Sequence, residues 1–142
     1  MHLKESEFRA LVSAAAHLSK VTGRRDTALR QIVRSAYGNS VRLEYVEVIC
    51  RMATCASPAL QQAARPPVPN WLKDRVIRRS TKCARCRRPF GEGSRRELAH
   101  LIPVRLGGVT EQRNLAAFCF DCNRHQGGGL LAVEEYGRIW NK

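Results

Sequence analysis

Acidic and aromatic residues are scarce in this chain of 142 residues: 12 Asp and Glu stand against 25 Lys and Arg, and Phe, Trp and Tyr together make up 6%. The resulting formal charge of +13 points to an anionic polymer, with nucleic acid the default reading. Long apolar runs are also missing. No stretch approaches the roughly 18 consecutive apolar residues of a spanning helix, so no membrane segment is expected. The most apolar early run, Leu11 to Leu18, follows Lys4, Glu5 and Glu7, without the positive flank of a signal peptide. A cytoplasmic setting is expected, the nucleoid or a phage-infected cell included. There is no internal repeat and no low-complexity tract.

What is present is unevenly spread. Residues 1–64 carry 9 Lys and Arg and 5 acids, while residues 65–142 carry 16 and 7. The densest stretch runs from Lys73 to Arg96, where only Asp74 and Glu92 are acidic. Lys73, Arg75, Arg78, Arg79, Arg87, Arg88, Arg95 and Arg96, with Arg124 further on, are the candidate DNA contacts. A run of charge on its own is also what a solvated face looks like.

Phe8, Leu11, Val12, Ala15 and Leu18 recur at helical spacing and predict a helix ending near Thr22-Gly23. A second helix is expected from about Asp26 to Tyr37, with Leu29, Ile32, Val33 and Ala36 inward and Gly38 as its stop. Residues 41–52 fit either a helix or a strand, and are read as helix. Pro66, Pro67 and Pro69 cannot continue a helix, so residues 65–70 read as a linker between a helical region at 1–64, of unassigned role, and a domain at 71–142. After it, Asn70 is expected to cap a short helix from Trp71 to about Arg79, with Trp71, Leu72 and Val76 facing the body. Strands are expected at residues 96–104 and 115–118, and a last helix at 130–140.

Six cysteines in a secreted chain would suggest disulfides, but four of them form two CxxC units, Cys83 with Cys86 and Cys119 with Cys122. Four thiolates at that spacing close a tetrahedron around Zn2+, and a filled tetrahedron is a structural site because no position is left for water. Cys50 and Cys55 fall outside the pattern and read as buried thiols. The 32 residues between Cys86 and Cys119 exceed the ~20 of an ordinary two-knuckle ribbon, so something is inserted.

The insert contains Glu97-Leu98-Ala99-His100-Leu101-Ile102-Pro103, Gly107-Gly108 and Arg113-Asn114-Leu115, and Asn123-Arg124 follows Cys122. Over residues 70–129 the chain resembles the HNH endonuclease family, in which a strand ending in histidine, a loop asparagine and a helix beginning with His or Asn surround one catalytic metal. The resemblance implies an α+β fold: a small ββα-metal module stapled by a four-cysteine zinc site and preceded by an α-helical N-terminal region. It implies a metal-dependent DNA endonuclease or nickase. In that reading His100 is the general base, Asn114 holds the loop that orients it, and Asn123 offers an oxygen to a catalytic Mg2+ or another divalent cation.

The chain departs from the commonest family pattern at Ala99, where many relatives place a metal ligand. Some subgroups resemble Glu-Ala-Ala-His instead, and strand alternation puts Glu97 on the face of Ala99, about 6.6 Å back along the strand. Glu97 is therefore the candidate replacement ligand, with Asp121 and His125 behind it. Two bland readings stay open at this point: His100 as a packed core histidine and Asn114 as a turn residue. The rival function is a degenerate HNH fold that binds DNA, or acts as an adaptor, without cutting. The N-terminal helices are then a candidate surface for a protein partner, and oligomeric state is left open.

Overall fold

The computed structural model describes residues 1–21, 25–38, 41–61 and 64–141. Helix α1 (Glu5–Val21) buries Phe8, Leu11, Val12 and Ala15, one stripe at helical period. Glu7 at its first turn accepts a hydrogen bond from the Lys4 backbone N–H at 3.1 Å, closing a free donor. The expected stop near Thr22-Gly23 lies outside the described residues. Helix α2 (Arg25–Tyr37) buries Leu29 and Val33, but Ile32 is 37% exposed and Ala36 is exposed as well. It touches α1 and α3 along a single i, i+4 line, so the wider apolar face read from the sequence is not used. Gly38 ends it at φ +74°, with its N–H on the Arg34 carbonyl at 2.9 Å. The ambiguous segment is helix α3 (Leu43–Thr54), which buries Val46, Val48, Ile49, Met52 and Ala53.

Residues 64–69 run without helix or strand and lead into α4 (Asn70–Arg79). Asn70 does not cap this helix. Pro69 holds the cap position, and its carbonyl accepts the N–H groups of Leu72 and Lys73, each at 3.0 Å. Trp71 does not face the body either: Leu72 is the one fully buried side chain of α4, and Trp71, about 100° further round the helix, is 63% exposed beside Arg75.

Strands β1 (Arg96–His100) and β2 (Leu115–Cys119) pair antiparallel, with Glu97 opposite Phe118, Ala99 opposite Ala116 and His100 opposite Leu115. The strand expected to reach residue 104 stops at His100. Pro103 has no N–H for a ladder, and Ile102 spends its own N–H and carbonyl on the Asn114 side chain. Helix α5 (Phe120–Gln126) follows β2 directly. Helix α6 (Val133–Trp140) starts three residues later than expected and packs on α3, with Gly137 close against Val48. The buried side chains of α1–α3, the sheet and α6 form one cluster, and Val133 N–H donates to the Met1 carbonyl at 2.9 Å. This is a mixed helical fold with a small antiparallel sheet, as expected. No helix is long and apolar enough to cross a membrane among the described residues.

Candidate functional site

The first CxxC is a tight knuckle: Cys83 N–H donates to the Arg88 carbonyl at 2.9 Å, and Arg87 N–H to the Cys83 carbonyl at 3.0 Å. Arg87 takes φ +70°, a left-handed position that favours glycine. Cys119 ends β2 and Cys122 sits in the first turn of α5, so sheet and helix together deliver the second pair. The four Sγ atoms lie within 4.8 Å of one another, and Cys86 and Cys119 are 3.9 Å apart. A tetrahedron of 2.3 Å zinc–thiolate bonds has edges of about 3.8 Å, so the cluster fits Zn2+. It is far too open for disulfides, whose S–S length is near 2.05 Å.

The thiols differ in acidity. Burial pushes Cys83 up, but N–H groups of Cys119, Cys86 and Arg85 outweigh it and hold the thiol at about 7. Cys122 is pushed well above the ordinary thiol range by burial and by its three sulfur neighbours. One thiolate is welcome there, and four need a cation. Cys50 and Cys55 stand outside the cluster, half-buried and buried.

His100 closes β1 with its side chain turned inward, 8% exposed. Asn114, fully buried, fixes the chain that follows it. Its Oδ1 accepts the Ile102 N–H at 2.8 Å, and its Nδ2 donates to the Ile102 and Val109 carbonyls, each at 3.0 Å. The close approach leaves no room at Gly108, where an added Cβ would lie 1.9 Å from the Ile102 carbonyl oxygen. The Nε2 atom of His100 meets Thr110 Oγ1 at 3.1 Å, and Gln126 of α5 donates to the His100 backbone carbonyl at 3.1 Å.

His100 opens on a cleft of about 360 Å³ lined also by Arg65, Leu98, Arg105, Asn123 and Gln126. Asn123 donates to Glu97 Oε2 at 2.5 Å, and the other Glu97 oxygen pairs with Arg95 Nε at 2.8 Å. A carboxylate and an amide thus meet, of which Asn123 lines the cleft and Glu97 lies behind it, a donor set suited to a hard divalent cation that keeps most of its waters. Asp121 and His125 are elsewhere. Both line a hollow with Arg85, Cys86 and Glu135, since two residues either way from Asn123 is the far side of a helix.

Burial, and then the nearby Arg65 cation, lower His100 to about 4. The ring is therefore neutral at physiological pH. Unfolded, it titrates near 6.5, so between about pH 6.5 and 4 the unfolded chain binds more protons and native stability falls as pH falls. Wild-type protein should lose melting temperature across that window faster than His100→Gln, as followed by circular dichroism. Parallel slopes would mean that the ring is not held neutral.

The HNH endonuclease family model matches residues 83–129, from the first knuckle cysteine to the glycines after α5. Residues 83–129 are an HNH domain. They hold all four cysteines, His100, Asn114 and Asn123. No curated protein and no solved structure matches the chain. Helices α1–α4 and α6 lie outside the HNH match.

The candidate DNA contacts are all exposed. Arg95 and Arg124 both lie over the Phe120 ring of the HNH domain, at 5.0 and 5.2 Å. Arg96 lies over Phe90, and Arg87 and Arg88 follow the first knuckle. Lys73, Arg75, Arg78 and Arg79 belong to α4, where Arg78 pairs with Asp74 at 3.5 Å. Sequence reasoning missed Thr110, Gln126, Arg65 and Arg105. Arg105 donates to the Gly128 carbonyl at 2.6 Å and makes a two-pronged ion pair with Glu5 of α1, tying the cleft to the first helix.

Proposed function

We propose that the chain is a metal-dependent DNA endonuclease or nickase that hydrolyses phosphodiester bonds, with His100 as general base. The observation that carries this reading is the buried His100 at the head of the cleft, with one ring nitrogen on Thr110, its carbonyl held by Gln126 and the Ile102 backbone just after it held by Asn114. With Thr110 as acceptor, the proton sits on Nε2 and the lone pair is on Nδ1. Nδ1 takes a proton from water as the water oxygen bonds to phosphorus, and the bond from phosphorus to the leaving sugar oxygen breaks, its electron pair staying on that oxygen, which takes a proton from solvent. Arg65 offers positive charge to the phosphoryl oxygens, while Arg105 is already paired with Glu5. A bound divalent cation such as Mg2+ supplies further neutralisation at the reacting oxygens, and Glu97 and Asn123 are the residues that would hold it.

Nicking or linearisation of supercoiled plasmid, measured with Mg2+ and with Mn2+, tests the reading. His100→Ala should lower the rate by about 10²–10⁴, the usual share of a general base, and Thr110→Val by about tenfold with the melting temperature little changed. An uncut plasmid across divalent ions, with binding retained on a gel, would favour the degenerate, binding-only reading. Buried Ala99, with no ligand atom, is the observation behind that rival. The two diverge again at Glu97. For an enzyme, Glu97→Gln should cut cleavage at least about tenfold, as losses of metal-site partners commonly do, while leaving zinc content intact. Undiminished cleavage by Glu97→Gln would remove Glu97 from the metal site.

A further inference from the structure

A second hollow, larger than the His100 cleft, lies between α3, α4, β2 and α6. It is about 430 Å³ and shares no lining residue with that cleft. Five cations line it: Arg75, Arg79 and Lys82 along the α4 side, and Arg51 and Arg113 across from them. The lining holds no carboxylate. Glu111 beside it pairs with Arg113 at 2.7 Å, and Asp74 on α4 pairs with Arg78 instead. Positive charge on both walls of an apolar-floored trough focuses its field on whatever enters, and an anion is what lowers its energy.

The shape and the chemistry narrow the anion. Ser80, Thr81 and Gln112 add neutral hydrogen-bonding groups, and the Arg51 guanidinium lies over the Trp140 ring at 3.7 Å. A planar cation on an aromatic ring is a platform on which a nucleobase stacks. The trough has the volume of a small-molecule site. A duplex keeps its bases paired and stacked inside, so it has none to lay on that platform. A single strand fits, with phosphates against the walls and a base on the Arg51–Trp140 stack.

We infer that this trough is a second nucleic-acid site, which takes the backbone and a base of a single strand away from the His100 cleft. It rests on the nuclease reading only for the choice of nucleic acid as the polyanion. The strand would be one that has left the duplex, held while the other site works on its substrate.

Binding of a short labelled oligothymidylate to the zinc-loaded full chain tests it, with His100→Ala as the background so that cleavage plays no part. Arg79→Gln with Lys82→Gln should weaken binding about tenfold and lower the salt slope by about 1.4, at about 0.7 per phosphate lost. The control pair Lys20→Gln with Arg34→Gln, which removes the same charge from α1 and α2 outside both the trough and the candidate DNA contacts, should change binding less than about twofold. All four side chains are exposed, and melting curves verify the folding of each variant. Equal losses in the two pairs would reduce the effect to net charge and overturn the site. Equal loss of duplex and single-strand binding would overturn the preference for a strand. Displacement of the oligonucleotide by pyrophosphate or thymidine monophosphate at matched phosphate would show a small-anion site instead. A chain that binds through the trough but never cleaves DNA keeps this inference and loses only the nuclease assignment.

Discussion

Chelation of zinc should unfold the HNH domain and lower the melting temperature of the whole chain. The sheet has two five-residue strands, and a module of this size buries too little apolar surface to hold itself together. Zinc binding at four thiolates contributes about 10–16 kcal/mol near neutral pH, comparable to or above the 5–15 kcal/mol of net stability of an ordinary domain. Without the ion, Cys122 protonates, and the turn of α5 and the first knuckle lose their common anchor. The loss should spread, because α6 packs against α3 and the buried cluster runs through both regions. Cys83→Ser and Cys122→Ser should each release zinc, read by metal analysis, and melt early. Retention of stoichiometric zinc and a native melting curve by both variants would show that the four thiols are not its ligands.

The four-cysteine cluster was the most legible part of the chain because CxxC fixes two thiols within one turn, whatever the remainder of the fold does. Helix α1 was legible because its apolar residues recur as one buried stripe, whereas α3 fitted helix or strand equally until its packing against α1, α2 and α6 decided it. In α2 the same reasoning named four inward residues and the packing uses two, since periodicity reports which face is apolar but not how wide a neighbour covers it. The Asn70 cap failed because Pro69 begins the helix one residue early. His100, Asn114 and Asn123 stood out through family resemblance, and the structure shows where each lies. Thr110, Arg65 and Arg105 could not be found that way. They reach the cleft through long-range contacts: Ser57 N–H on the Gly107 carbonyl at 2.8 Å, Val109 N–H on the Cys55 carbonyl at 3.0 Å, and Arg105 on Glu5. Such contacts depend on how the N-terminal helices dock, which no local pattern encodes.

Asn114→Ala should cost more than any other single replacement near the cleft. Its side chain satisfies one buried N–H and two buried carbonyls, and alanine leaves all three unpaired in a site with no solvent contact. At about 1–3 kcal/mol for each unsatisfied group, partly relieved by water entering, a loss of about 3–5 kcal/mol is expected. Any cleavage should fall with it, because the strand end that carries His100 is no longer held to the loop that carries Thr110. The two effects are separable. Asn114→Asp keeps an acceptor for the Ile102 N–H but turns the donor toward the Ile102 and Val109 carbonyls into an acceptor, so lone pairs face lone pairs and a charge is buried. It should destabilise at least as much as alanine at neutral pH. Part of the loss should return in acid, where the protonated carboxyl again has a hydrogen to donate. The sign follows from linkage: burial raises the aspartic acid above its unfolded value, so protons bind the native state preferentially and stabilise it as pH falls. Urea midpoints at pH 7 and pH 5 for wild type and both variants measure this. A midpoint for Asn114→Ala within about 1 kcal/mol of wild type would mean that the three hydrogen bonds are not formed in solution, and that His100 is positioned by something else.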